Sequence, residues 1–335
     1  LRKFFIFFSA AALVSAQPVL SSSGPKIGTI DFYGLHKVSE SKVRQVLKVH
    51  EGDALPRSKA DVEEQLDAIP GVVEAHLEAV CCDAGRMILY VGIEEKGAPH
   101  FDVREAPDGD YQLPEEITKT YQKYLAAERS GSGREDLTQG HPLSANPDAR
   151  EIQQQFIPIA KRYLPDMRRA LRESGDEDQR ATAAYVLNYA PEKNVIVNDL
   201  QFALKDNDQG VRAVAAHGLK ALAVYARLHP DAGYKIEPTW FIEMLNSLSW
   251  ADRSQAIEML LNLTDQPNPA AIEQIRDRAL PALIEMAHWK ALTHALPPFL
   301  LLGRVAGLSD QQVQDAWTKG DRESVIALAT GKKKK

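Results

Sequence analysis

Three segments in the second half of this chain repeat one another, and that self-similarity limits the fold more than any other feature. DQRATAAYVL, GVRAVAAHGL and DRSQAIEMLL align on Arg180, Arg212 and Arg253. Each arginine is followed three residues later by an alanine (Ala183, Ala215, Ala256) and seven later by a leucine (Leu187, Leu219, Leu260). Offsets of three and seven return to one helical face. The alanines let neighbouring helices approach closely, and the leucines fill the space between successive units. Stacked helix pairs of this kind form an all-α solenoid. The stretches 151–171, 194–204 and 238–248 supply the partner helices. A weaker unit spans Leu283 to Val305, where Trp289, Leu292, Ala295 and Phe299 follow Trp250, Arg253, Ala256 and Leu260. Helices near 311–328 cap the stack.

The first hundred residues follow other periods. KIGTIDFYG alternates apolar Ile27, Ile30 and Phe32 with small or polar residues and stops at Gly34, as a short strand does. Ser39 is an N-cap for a helix over 40–48 with Val43, Val46 and Leu47 on one face. A second helix opens at Arg57-Ser58, carries Val62, Leu66 and Ile69, and ends at Pro70-Gly71. Strands at 72–80 and 87–93 follow, separated by Asp83-Ala84-Gly85. Two helices laid over one face of a three-stranded sheet make a compact α+β unit of order β-α-α-β-β.

The opening IGTIDFYG, EGD before the second helix, IPGV into the second strand and LYVGIEE at the close resemble a POTRA domain over residues 26–96. The resemblance implies a receptor for polypeptide segments, although such domains usually adjoin a barrel or an anchor, neither of which is expected here. By the same resemblance the available sheet edge is the second strand. Its residues Val72, Glu74, His76, Glu78 and Val80 are the candidate peptide-binding positions, through pairing of the backbone with an extended segment. The competing reading is that Glu74 and Glu78 only guard this edge against aggregation.

The pattern D-x-D-x-x-V-R-x-x-A-A-x-x-L from Asp206 to Leu219 resembles a HEAT repeat of the short bacterial kind, over about 150–328. That resemblance implies a protein-binding scaffold. Asp206, Asp208 and the repeat arginines are expected to join units in a structural ladder, ahead of binding a ligand. Trp240, Phe241, Trp250 and Trp289 are core candidates first and binding anchors second. The fold class is therefore multidomain: a small POTRA-like α+β domain followed by an all-α helical-repeat solenoid.

The ends and joints complete the layout. Residues 1–16 combine Arg2 and Lys3, an apolar run from Phe4 to Val14 and small residues before Gln17, as a cleaved signal peptide does. That run is short of the roughly 20 residues a spanning helix needs, so stable membrane insertion is not expected. Residues 17–25 form a leader, 97–149 a connector with one helix, and 329–335 a basic tail suited to weak contact with an anionic surface. Export to the periplasm or secretion follows.

A net charge of −6 leaves no overall basic field, which argues against nucleic-acid partners. The only cysteines, Cys81 and Cys82, are adjacent and fit no metal-ligand spacing. Plain thiols are one reading; a vicinal or intermolecular disulfide is the other. With no P-loop, dinucleotide fingerprint, HExxH or GxSxG, no cofactor and no catalytic residue are expected. The sequence reads as a non-enzymatic adaptor of the cell envelope that binds a protein or unfolded polypeptide. A thiol, redox or metal enzyme using the cysteine pair and a purely structural envelope component are the alternatives.

Overall fold

A computed structural model describes residues 25–331 except 84 and 130–132. The expected signal peptide, nearly all of the expected leader and residues 332–335 of the expected tail lie outside the described residues.

The first unit runs β1 (Ile27–Tyr33), α1 (Glu40–Leu47), α2 (Lys59–Asp67), β2 (Val72–Asp83) and β3 (Arg86–Glu95). Local signals set the boundaries. Lys48 takes a left-handed conformation where α1 stops, and the Ser58 hydroxyl accepts from the Asp61 amide at the start of α2. The sheet order is β1-β3-β2, with β3 parallel to β1 and antiparallel to β2.

Leu89, Val91 and Ile93 of β3 join Val43, Leu47 and Leu66 in a core beneath the two helices. Ile88 and Tyr90 belong instead to the core of the helical half, together with Tyr33. The sheet is therefore covered on both faces, where the sequence suggested cover by α1 and α2 alone. The unbroken apolar run in β3 is the signature of a strand buried on both sides. Gly92 permits the second contact. A Cβ there would lie 2.6 Å from a Tyr33 ring carbon and 2.7 Å from the Leu248 carbonyl oxygen.

The stretch expected to be a connector is bound along the helical half. The Arg104 amide donates to the Lys205 carbonyl at 2.7 Å, and its guanidinium lies 3.4 Å from the centroid of the Phe202 ring. Tyr111 donates to Asp166 at 2.8 Å. The helix α3 (Glu115–Glu128) packs on the later helices α4 (Pro147–Arg162) and α6 (Glu177–Leu187). Tyr124 is buried against Phe156 and Tyr185. A short hairpin, β4 (Glu135–Asp136) with β5 (Leu143–Ser144), leads into α4.

Beyond α4 come α5 (Leu164–Glu173), α6, α7 (Lys193–Ala203), α8 (Gln209–Leu228), α9 (Thr239–Met244) and α10 (Trp250–Leu263). They are followed by α11 (Pro269–Arg278), α12 (Leu280–Ala287), α13 (Leu292–Val305), α14 (Asp310–Thr318) and α15 (Arg322–Ala329). The segment 151–171 is two helices, not one. Pro165 can occupy the first turn of α5 but has no amide to continue α4. The helices α6, α8, α10, α13 and α15 pack successively on one another, each also packing on the helix of its own pair: α5, α7, α9, α12 and α14.

Buried ion pairs join consecutive units. Arg180 grips Asp206 through Nε and Nη2, both at 2.9 Å, and Arg212 grips Asp252 at 2.8–3.1 Å. Arg253 continues the series to Glu285 at 3.6 Å. Each arginine also donates to a carbonyl six residues earlier, at Ser174, Asp206 and Ser247 respectively. Leu292 stands where the next arginine would be and is 58% exposed, so the ladder stops there. Asp208 lies outside the ladder, and its carboxylate accepts from the Val211 amide to cap α8. Ala183, Leu187, Ala215, Leu219, Ala256 and Leu260 are all buried in the shared core.

Candidate functional site

The strand β2 lies at the sheet edge, but its surroundings are occupied. Its outward Ala75 and Leu77 amides donate to Asp67 and Glu63 of α2, both at 2.7 Å. Glu78 points into the helical half, where Oε2 accepts from the Trp250 amide at 2.7 Å and the Ser249 hydroxyl at 3.1 Å. Its Oε1 accepts from Gln209 at 3.2 Å. Glu78 therefore sits at the N-terminus of α10, where the helix dipole favours an anion. Asp31 of β1 does the same ahead of α13, accepting from the Lys290 amide at 3.0 Å and the Ala291 amide at 3.4 Å. Burial raises the Asp31 carboxyl's pKa, and those two amides pull it back down.

Between these carboxylates the sheet meets the helices through rings. Tyr33 donates to the Leu248 carbonyl at 2.8 Å, and Tyr90 shares a 2.7 Å hydrogen bond with His294 Nδ1. The Tyr90 ring stacks on Trp250 at 5.3 Å and tilts against Trp289 at 4.9 Å. Burial pushes the His294 pKa down, opposed by Asp31 and Asp83. Trp289 and Phe241 are fully buried, while Trp240 and Trp250 are partly buried. Val80 packs on this core, and Val72 packs on the one beneath α1 and α2. Of the expected edge positions, Glu78 and Val80 thus turn into an internal seam, Val72 packs on the other core, and Glu74 stays exposed.

Openings remain beside that seam. A cleft of about 710 Å³ is lined by Glu74, His76, Glu94, Phe101 and Val103 on one side and by Asn207, Gln209, Arg212, Ser247 and Ser249 on the other. Glu74 stands directly opposite Glu94 in the sheet. Partial burial raises the Glu74 carboxyl's pKa, and the charges of Glu94, Asp67 and Glu63 add to that rise. Burial lowers the His76 pKa, helped by Lys59 and opposed by Glu78 and Glu63.

Two further grooves flank α10. One, of about 560 Å³, runs between α10 and α13 and is lined by Trp250, Ser254, Ile257, Met286, Trp289, Thr293, His294, Pro297 and Pro298. The other, of about 410 Å³, runs between α10 and α8 and is lined by Ala213, Ala216, His217, Lys220, Gln255 and Met259. Glu258 lines both and is paired with Lys220 at 2.6 Å. His217 pairs with Glu135 of the hairpin at 2.8 Å.

These grooves escape a reading of the sequence, since their linings combine residues from separate units. The one available signal is the partly exposed face of the repeat helix, Ser254, Gln255 and Glu258, between its buried positions. Cys81 and Cys82 are joined as a disulfide at the exposed end of β2. Among the described residues no group of His, Cys, Asp and Glu is disposed to hold a metal ion, and no helix is long and apolar enough to cross a membrane. No protein-family model matches the chain, and no curated protein matches it in sequence.

Proposed function

We propose that this chain is a non-enzymatic adaptor of the cell envelope, in which a POTRA-like unit is docked on a HEAT-like repeat array that binds extended polypeptide segments. The observation that carries this reading is the pair of grooves flanking α10 with Glu258 common to both. Aromatic rings and prolines line one groove, and a methionine contributes to each. Such walls suit an aromatic or aliphatic anchor side chain, and methionine adapts to different anchors. The Lys220–Glu258 pair spans the α8–α10 groove and offers both charges to a peptide lying over it.

Edge pairing at β2 is the weaker route for capture, because two of its outward amides already have carboxylate acceptors. The groove reading is tested by selecting peptides from a displayed library on the intact protein and measuring their affinity for Ser254→Trp, which fills the α10–α13 groove. A Lys319→Trp variant serves as the control away from it. Selected peptides should lose at least about tenfold in affinity, 1.4 kcal/mol, for Ser254→Trp alone. Failure to select any peptide, or equal affinity for both variants, would overturn the assignment.

A further inference from the structure

We propose that Cys81 and Cys82 form a thiol–disulfide exchange site that accepts two electrons from a dithiol reductant. The two sulfurs are bonded to each other, and both side chains are exposed. The backbone around them is the second observation. Val80 pairs with Ile88 and Asp83 pairs with Arg86, so two residues of β2 stand opposite the single Met87 of β3. That is a bulge, and bulged residues lie outside the regular ladder. The two cysteines therefore sit between paired positions of the β2–β3 ladder and are not themselves members of a pair.

Exposure supplies the other requirement, since exchange needs a thiolate to reach a disulfide sulfur. A thiolate of the donor attacks one cysteine Sγ. A donor–protein mixed disulfide forms, and the second cysteine leaves as a thiolate. The donor's remaining thiolate then attacks its own sulfur in the mixed disulfide and releases the first cysteine. Both protons of the donor dithiol end on Cys81 and Cys82, which are reduced to thiols, while the donor is oxidised to its disulfide. Neither cysteine lines the grooves beside α10, so the site stands or falls independently of peptide binding there.

The test treats the full-length, folded protein with dithiothreitol and then iodoacetamide, and follows it by mass spectrometry and far-UV circular dichroism. Before reduction the peptide carrying residues 81 and 82 should take up no label. After reduction it should take up two, with an unchanged dichroism spectrum, and oxidation should restore the unlabelled form. The Cys82→Ser variant should capture an aromatic disulfide reagent at Cys81 and release one equivalent of aromatic thiol. Labelling before reduction that oxidation cannot abolish, or reduction only after urea unfolding, would overturn the proposal. So would collapse of the dichroism signal on reduction, which would make the bond a structural staple.

Discussion

At the scale of single residues, the repeat arginines and Asp206 are legible in the sequence as ladder members, but the pairing between units, and Asp252 and Glu285 as acceptors, are not. Spacing places Arg180, Arg212 and Arg253 on equivalent helical faces, but nothing in it says that Asp206 serves the arginine of the preceding unit. Asp252 is the most demanding member of the ladder. It is fully buried and takes bonds from Arg212 and from the Ser247 hydroxyl. Asp252→Ala leaves a buried guanidinium without its counter-charge, and denaturant unfolding should show a loss of about 3–5 kcal/mol. Arg212→Met combined with Asp252→Leu should recover much of that loss, because a buried pair replaced by apolar side chains is often neutral.

Lys193 shows the opposite case, a partly buried cation whose Nζ bonds the Asn188 and Gly140 carbonyls. Burial lowers its pKa from 10.5 to about 8. The unfolded chain therefore binds more protons than the folded one above pH 8, and folding stability rises with pH there. Between pH 8 and 10 the gain should reach about 2 kcal/mol, and Lys193→Met should abolish the rise. Denaturation midpoints measured across that interval decide it.

At the scale of elements, most helices and strands are readable because their periods are local. The break between α4 and α5 is easily passed over although Pro165 marks it, since the apolar pattern continues across the break. The seam between sheet and helices is hidden for a different reason. Glu78 bonds to residues more than 170 positions away, and Asp31 to residues about 260 away. A strand glutamate at an edge looks the same in sequence whether it faces solvent or caps a remote helix. Gly92 controls this contact, because any side chain there would push Tyr33 and the Leu248 backbone apart. Gly92→Val should cost about 1–3 kcal/mol by overpacking and should quench the near-UV dichroism of the Tyr90–Trp250–Trp289 group, while far-UV signal is largely retained.

At the scale of the whole molecule, the seam packs the sheet against the helices and brings histidines into the contact, which gives it a dependence on acid. His76 lies at the sheet side of the junction, where burial and Lys59 lower its pKa, with Glu78, Glu63 and Asp252 pulling the other way. His294 lies on the helical side beneath Tyr90, where burial lowers its pKa against Asp31 and Asp83. Inside the helical half, burial and Lys193 push His141 down to about 4. In all three cases the folded form holds its proton less tightly than the unfolded chain, whose histidines titrate near 6.5. The unfolded state gains protons first as pH falls, so stability is lost progressively below about pH 6.5.

Two of the three histidines lie at the seam, and the Arg180–Asp206 and Arg212–Asp252 pairs contain none. Hydrogen exchange at pH 5, after correction for intrinsic rates, should show earlier loss of protection in β2 and at the start of α13 than in α6 and α8. His294→Gln should remove part of that difference while keeping a side chain able to meet Tyr90. Uniform loss of protection across all four elements would instead assign the acid response to His141 and the helical half.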